Sequence, residues 1–284
     1  MQHIIYWGVK LKEIMKYSII TINYNNKEGL KKTINSVVKQ SYRDFEYIVI
    51  DGGSTDGSVE IIKEYADKID YWVSEPDKGI YNAMNKGIVQ AHGEYLNFMN
   101  SGDCFYNEKV LQDILPYLDS DIVTGKIYYE GGPHGFWKDN VTMLDFFKGS
   151  LEHQASFIRK ELFSNKLYDE SFKIIADWKF FVETLIYENA SFHNLDTIVC
   201  LFDTSGISRT SSWLIHEEGA RVFDELFPKR VQEDYFRWKK IDSPLSDIVA
   251  ELNVALGVQK VTKHFILFMI KLRRIKSFLN KYIN

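Results

Sequence analysis

The sequence predicts an α/β protein with a mostly parallel central sheet, helices on its faces and a helical C-terminal appendage. Three observations predict it. Short β-rich runs alternate with segments of helical periodicity over residues 17–99, the pattern of repeated βα units. Several of these runs stop on short polar residues. The chain has 284 residues, 45% hydrophobic and 15% aromatic, enough for one large core with an appendage.

The elements follow in order. Tyr17–Ile22 is short and β-rich, and Lys27–Gln40 carries Leu30, Ile34, Val37 and Val38 at helical spacing. Phe45–Ile50 reads as a buried strand, Asp51–Gly57 as a turn and Ser58–Tyr65 as a helix. Tyr71–Val73 is a third strand, Ile80–Ala91 a third helix and Tyr95–Met99 a fourth strand. Beyond them come a helix over Glu108–Tyr117, a strand over Ile122–Tyr129, a turn over Gly131–Gly135 and a helix over Trp178–Tyr187.

Composition excludes several classes. A net charge of −4 gives no footprint for nucleic acid. The two cysteines, Cys104 and Cys200, form no CxxC pair, which argues against zinc or redox chemistry and fits reduced thiols in the cytoplasm. No run reaches the ~18–20 apolar residues needed to span a bilayer. The N-terminal segment MQHIIYWGVKLKEIMK is a poor signal peptide, its charges following the apolar part; residues 1–15 read as an extension. There is neither GxGxxG nor GxxxxGK[ST], so no dinucleotide fingerprint or P-loop is supported.

In parallel sheets ligands bind at the carboxyl ends of strands. That rule selects three places: Thr21-Ile22-Asn23-Tyr24-Asn25, Asp51-Gly52-Gly53-Ser54 and Asn100-Ser101-Gly102-Asp103. Turn and capping roles account for each loop taken singly. The lone acid Asp103, at the end of a core strand, points to a metal ion.

Together these residues resemble the family 2 glycosyltransferases of the GT-A fold. The resemblance is carried by SIITINYNNKEGLKKTINSVVKQSYRDFEYIVIDGGSTDGS and SEPDKGIYNAMNKGIVQAHGEYLNFMNSGD. It is close over Tyr17–Asp103 and looser to about Ser208, and its nearest flavour is the bacterial branch that builds capsule, O-antigen and colanic-acid-type polysaccharides. It implies a nucleotide-sugar donor, a UDP-sugar foremost, and a divalent cation, Mn²⁺ or Mg²⁺, at the leaving diphosphate. Asp103 falls at the last acid of the family's DxD-like motif, where the metal is touched; Asn100 and Gly102 replace the earlier acids. Ser101 and Gly102 join the donor-binding set. Thr21, Asn23 and Tyr24 fall where the family contacts base and ribose, and Asp51 where an acid meets the uracil or ribose. Lys78 is placed to neutralise diphosphate charge, with Asp77 and Asn85 beside the donor pocket. His153 and Gln154 fall beside the donor sugar, and Arg209 in a later loop that touches diphosphate. Asp177 corresponds to the general base of an inverting displacement, with Asp169 and Glu170 as rival acids.

The expected domains are an N-terminal extension over 1–15, a GT-A domain over 16–210 and a helical region over 211–284. Its last segment carries an apolar stripe, Val261, Phe265, Phe268, Leu272, Ile275 and Leu279, and Lys260–Asn284 contains no acid. Such a helix suits an anionic membrane surface or packing on protein. The first use places the chain at the cytoplasmic face of the inner membrane, with a saccharide or lipid-linked oligosaccharide as acceptor. Two rival functions stand beside transfer: a catalytically weak nucleotide-sugar-binding partner of a polysaccharide assembly complex, and a nucleotidyltransferase, whose basic glycine-rich loop is lacking here.

Overall fold

The computed structural model describes residues 15–135, 137–206 and 211–242. The N-terminal extension up to residue 14, Arg209 and the basic stripe of 261–283 lie outside the described residues.

Strand β1 (Tyr17–Asn23) is buried along its whole length and lies between β2 (Phe45–Asp51) and β4 (Tyr95–Phe98), parallel to both. Burial on both faces explains its near-continuous apolar run. Strand β3 (Tyr71–Ser74) pairs parallel to β2 and forms the edge. Helices α1 (Lys27–Val38), α2 (Ser58–Glu64) and α3 (Ile80–Gln90) supply the crossovers. Leu30, Ile34 and Val37 of α1 are buried in the core with Ile19, Tyr47 and Val49; each such side chain contributes ~1.5–3 kcal/mol. Helix α3 approaches β1 closely enough that a Cβ on Gly87 would lie 2.5 Å from Ile20 Cγ2.

The register aligns strand ends. Asn23 sits opposite Asp51, and Asp51 opposite Ser74, so three polar residues meet at one rim of the sheet.

The sheet is parallel only over β3-β2-β1-β4. Beyond β4 it is mixed: β8 (Ser156–Arg159) runs antiparallel to β4 and to β6 (Ile122–Tyr129), and β9 (Phe192–Leu201) runs parallel to β6. The short β5 (Cys104–Phe105) closes the far edge on β9. Sequence periodicity did not reveal β8 or β9, because His193, Asn194 and Asp196 interrupt the apolar pattern of β9. The segment read as a turn at 131–135 contains β7 (Gly132–His134), which folds back on β6 as a hairpin.

Helix α4 (Val110–Ile114) continues as a 3₁₀ turn, and α5 (Met143–Phe146) begins with a capping box from Thr142 and Asp145. The helix expected from Trp178 starts earlier, as α6 (Ala176–Val182), and winds on as a π-helix over Glu183–Tyr187. Helices α7 (Ser212–Leu226) and α8 (Lys229–Asp242) are separated at Pro228, which disfavours helical geometry in the residue before it. Among the described residues no helix is long and apolar enough to cross a membrane.

The chain divides into two compact units, 1–219 and 220–284, within α7 rather than before it. In the first unit, Glu218 of α7 accepts from the backbone N–H groups of Lys173 and Ile174 at 2.7 and 3.0 Å, which ties that part of the helix to the sheet unit. In the second, Phe223 packs on Phe227 and Tyr235, with ring centroids 4.9 and 4.8 Å apart.

Candidate active site

A cleft of about 510 Å³ opens where β1 and β4 end. Its wall combines the loop after β1, the Asn100–Asp103 loop after β4, the start of α3, the start of α6 and the loop after β9.

The Asn100–Asp103 loop is held by α1. Thr33 Oγ1 donates to the Asp103 carbonyl at 2.6 Å and accepts from the Gly102 N–H at 2.9 Å. Asn26, the N-cap of α1, donates to the Ser101 carbonyl at 3.2 Å. Gly102 has φ of +108°, and a Cβ there would lie 2.3 Å from Asp203 Oδ2. Glycine is therefore required twice, by backbone conformation and by the approach of Asp203. Gly102 itself does not line the cleft, whereas Ser101 does.

Asp103 lines the cleft yet is only 4% exposed. Its Oδ1 accepts from the Asp203 backbone N–H at 2.8 Å. Burial pushes its carboxyl up to about 7, against the pull of that N–H, His153 and Gln154; the nearby Asp203 carboxylate adds to the push. Asp103 and Asp203 are hard oxygen donors sharing one wall. Among the described residues no group of three or more His, Cys, Asp or Glu could hold a metal. The pair fits a Mg²⁺- or Mn²⁺-like cation whose remaining ligands are phosphate oxygens and water, and a buried acid held near neutrality gains its charge beside a cation.

Asp177 stands in the first turn of α6, where a carboxylate is favoured by the helix dipole. The helix is pinned by its aromatic side: Trp178 Nε1 donates to the carbonyls of Phe146 and Gly149 at 3.2 Å each, and Phe180 stacks on Phe163 at 4.5 Å. Asp177 Oδ1 accepts from the Tyr81 hydroxyl at 2.9 Å, and Oδ2 lies 2.8 Å from His153 Nδ1. Its two rivals are engaged elsewhere and do not line the cleft. Asp169 accepts from Lys179 Nζ at 2.8 Å and from Ser171; burial would raise its carboxyl, but these bonds lower it to about 2. Glu170 accepts from Asn82 and Asn85 at 2.9 and 3.0 Å. Asn85 is thereby a clamp, also donating to the Tyr168 carbonyl, rather than a part of the cleft wall.

At the first strand end, Asn23, Tyr24 and, beyond it, Asp77 line the cleft, with Tyr24 two-thirds exposed (66%). Asp51 does not. Its carboxylate accepts from Asn23 Nδ2 (2.7 Å), Ser54 Oγ (2.6 Å), Ser74 Oγ (2.6 Å) and the Ser54 N–H (2.9 Å). Burial would raise Asp51; the bonds from Ser54, Ser74 and Asn23 outweigh it and hold the carboxyl below its ordinary value. A carboxylate only accepts, so the amide of Asn23 must present its nitrogen to Asp51. Asn23 Oδ1 is left buried with no partner among the described residues. Thr21 does not reach the cleft either: it is fully buried, with Oγ1 donating to the Met99 carbonyl at 2.8 Å beside the Tyr47 hydroxyl. Lys78 is exposed and outside the cleft wall. Chain direction explains these departures. Thr21 precedes the strand end, and the Asp51 turn curls onto its own acid.

Sequence reasoning missed Asp203 and Tyr81. Asp203 follows β9, so reading β9 as a strand would have made it a third strand-end acid beside Asp51 and Asp103. Tyr81 sits in the first turn of α3, and the GIYNAMNKG stretch contains it.

The model of the family described as "Glycosyl transferase family 2" matches residues 18–182. An uncharacterized glycosyltransferase of Mycobacterium tuberculosis is 34% identical over 227 residues, covering 74% of this chain and 80% of its own. A PGL/p-HBAD biosynthesis glycosyltransferase of Mycobacterium bovis is 30% identical over 174 residues, 58% of this chain and 67% of its own. Among solved structures, S. aureus TarS 1–349 in complex with UDP-GlcNAc is similar with a TM-score of 0.58 and 25% identity, over 70% of this chain and 61% of that one. A longer TarS structure is matched over 36% of its length. A Pyrobaculum calidifontis mannosyltransferase in complex with GDP-Man and Mn²⁺ shares the fold, with a TM-score of 0.60, 13% identity and coverage of 90% of this chain and 80% of that one. The family match runs from β1 to the end of α6 and so includes Asp103, His153 and Asp177 within a GT-A fold: this chain belongs to glycosyl transferase family 2.

Proposed function

We propose that the protein transfers a sugar from a UDP-sugar to a saccharide hydroxyl, with inversion and with a divalent cation, in the assembly of a lipid-linked cell-surface glycan. One observation carries this reading: the buried acid Asp103 and the helix-start acid Asp177 line a single cleft. Transfer needs negative charge stabilised on the leaving diphosphate and a proton removed from the attacking hydroxyl, and one cleft holds a carboxylate for each task.

Asp103 and Asp203 would hold the cation, which supplies charge stabilisation at the diphosphate. Tyr24 offers an exposed ring at the cleft mouth for a base to stack on. Asn23 Oδ1, an acceptor without a partner, suits a base bearing a ring N–H; uracil, thymine and guanine have one, cytosine and adenine do not. Of these, uracil agrees with the UDP-GlcNAc bound by the TarS relative. Asp177 would accept the proton of the acceptor hydroxyl as its oxygen attacks the anomeric carbon. His153 and Gln154 complete the wall beside it. The lipid-linked acceptor is supported by the PGL/p-HBAD biosynthesis in the name of the M. bovis relative and by the acid-free, basic segment Lys260–Asn284, which suits the cytoplasmic face of an anionic membrane. The capsule-type resemblance of the SEPDKGIYNAMNKG stretch supports the polysaccharide setting.

The test is release of nucleoside diphosphate from UDP-, GDP- and dTDP-sugars with Mn²⁺, Mg²⁺ or chelator, for wild type, Asp103→Ala and Asp177→Asn. Metal-dependent turnover of a UDP-sugar that requires Asp103 is the expected result. Binding of a donor without turnover, acceptor supplied, would instead support the weak binding partner.

A further inference from the structure

Asp177 reaches the cleft with most of its lone pairs already engaged. Oδ1 accepts from the Tyr81 hydroxyl and from the Trp178 N–H, both at 2.9 Å. Oδ2 has one partner, His153 Nδ1, at 2.8 Å. A carboxylate oxygen accepts about two hydrogen bonds, so Oδ1 is full and Oδ2 keeps one vacant direction. The far side of the imidazole is fixed by the Asn100–Asp103 loop, where Asn100 Nδ2 lies 3.0 Å from His153 Nε2. With the Asn100 amide nitrogen as donor, Nε2 is an acceptor and the ring proton sits on Nδ1, facing Asp177. Asn100 Oδ1 is buried with no partner among the described residues; presented to Nε2 instead, it would call for a second ring proton and a charged imidazolium.

We infer that Asn100 and His153 are a positioning pair for the base: Asn100 keeps His153 neutral with its proton on Nδ1, and His153 occupies one side of Asp177 Oδ2 so that the other side receives the acceptor's proton. The inference rests on the transferase reading for its kinetic consequence and on geometry alone for the state of the ring. In the step it serves, the acceptor oxygen forms a bond to the anomeric carbon while its proton passes to Asp177 Oδ2. The bond from that carbon to the diphosphate oxygen breaks, and its electron pair leaves with the diphosphate. His153 takes no proton, since Nδ1 already carries one and Nε2 is covered by Asn100.

The pair also gives a reason for an amide where the family's motif has an acid. A carboxylate at position 100 would draw a second proton onto His153, and an imidazolium beside Asp177 would lower its basicity. Asn100 is therefore not only a lost metal ligand; it sets the charge of the group that orients the base. The other charged groups bearing on His153 are the carboxyls of Asp103 and Glu152.

The experiment is ¹⁵N NMR of the full chain labelled at its histidine rings, at pH 7.5, with His153→Gln to assign the signal. The expected result is a neutral His153 protonated on Nδ1, becoming imidazolium in Asn100→Asp. Steady-state kinetics on the same proteins should show kcat lowered about tenfold to a hundredfold in His153→Gln and in Asn100→Asp, with donor KM within about threefold and melting temperatures close to wild type. A ring protonated on Nε2, or an imidazolium in the wild type, overturns the inference, as does unchanged kcat in both folded variants. Should the variants unfold, the wild-type ring spectrum alone decides. The spectrum needs no turnover, so an inactive wild type with the expected ring state would sink the transferase reading and leave the ring assignment standing.

Discussion

Asp51 closes β2 and Asp103 follows β4, the two strands that flank β1, and both aspartates are buried. Their surroundings are opposite. Asp51 lies between register neighbours Asn23 and Ser74 and accepts from both, and from Ser54. It is a knot that shapes the loop and turns Asn23 toward its present pose. Asp103 accepts from the Asp203 backbone N–H and from the Gln154 side chain, and has a second carboxylate as neighbour. Burial therefore pushes its carboxyl up, while bonding holds that of Asp51 down. A saturated buried acid contributes to the fold; an undersaturated one awaits a positive partner.

The largest effect should separate the two acids in catalysis. Asp103→Asn is expected to lower metal-dependent kcat by at least about a hundredfold, whereas Asp51→Asn should act mainly on donor KM. Equal losses of kcat in steady-state assays would erase the distinction.

Stability should rank them the other way. Asp51→Asn is expected to cost about 3 kcal/mol at pH 7, as hydrogen bonds to a buried charge are lost, read by urea unfolding. Because the folded carboxyl lies below its unfolded value, this contribution is present above about pH 4 and disappears as pH falls through the folded value. A difference that persists undiminished at strongly acid pH would break the argument.

An opposite pH dependence belongs to Asp103. Its folded value of about 7 lies above the ordinary 3.8, so between those limits the folded chain keeps a proton that the unfolded chain has released. Cation-free protein should lose stability as pH rises through that window. Asp103→Asn should remove the loss and be more stable than wild type by up to about 4 kcal/mol at pH 8, with no gain at pH 4. Thermal melts in chelator at both pH values read this, and a gain of the same size at pH 4 would assign it to packing instead.

The smallest effect concerns Thr21, inside β1 two residues before the strand end. Thr21→Val should cost about 1 kcal/mol through its lost bond to the Met99 carbonyl and leave donor KM within about twofold. A tenfold rise in KM would mean that Thr21 meets the nucleotide after all.

The parallel half of the sheet was legible because its signals are local. Tyr17–Asn23, Phe45–Asp51 and Tyr95–Phe98 are apolar runs closed by polar residues, and α1 and α3 show helical spacing. The mixed half was less so, since β8 is four residues long and β9 is polar along its first half. Among the residues that line the cleft, Asp103, His153 and Asp177 were singled out by the family resemblance of their motifs. Asp203 was not, because its place beside Gly102 depends on the fold of a strand that periodicity does not disclose.

The sequence by itself determined the order of the first βα units, the strand ends that could hold ligands and the family to which they point; these follow from periodicity and short motifs, which act over a few residues. Only the tertiary structure decided which acid lines the cleft and which is saturated by its neighbours. Asp51 and Asp103 read alike along the chain, and Asp169, Glu170 and Asp177 lie within one short stretch. Their surroundings come from partners that the fold brings to them: Ser74 to Asp51, Asp203 to Asp103, Lys179 of α6 to Asp169, and Tyr81 and His153 to Asp177. The charge of a carboxylate is set by what surrounds it in space, and that is fixed only when the chain has folded.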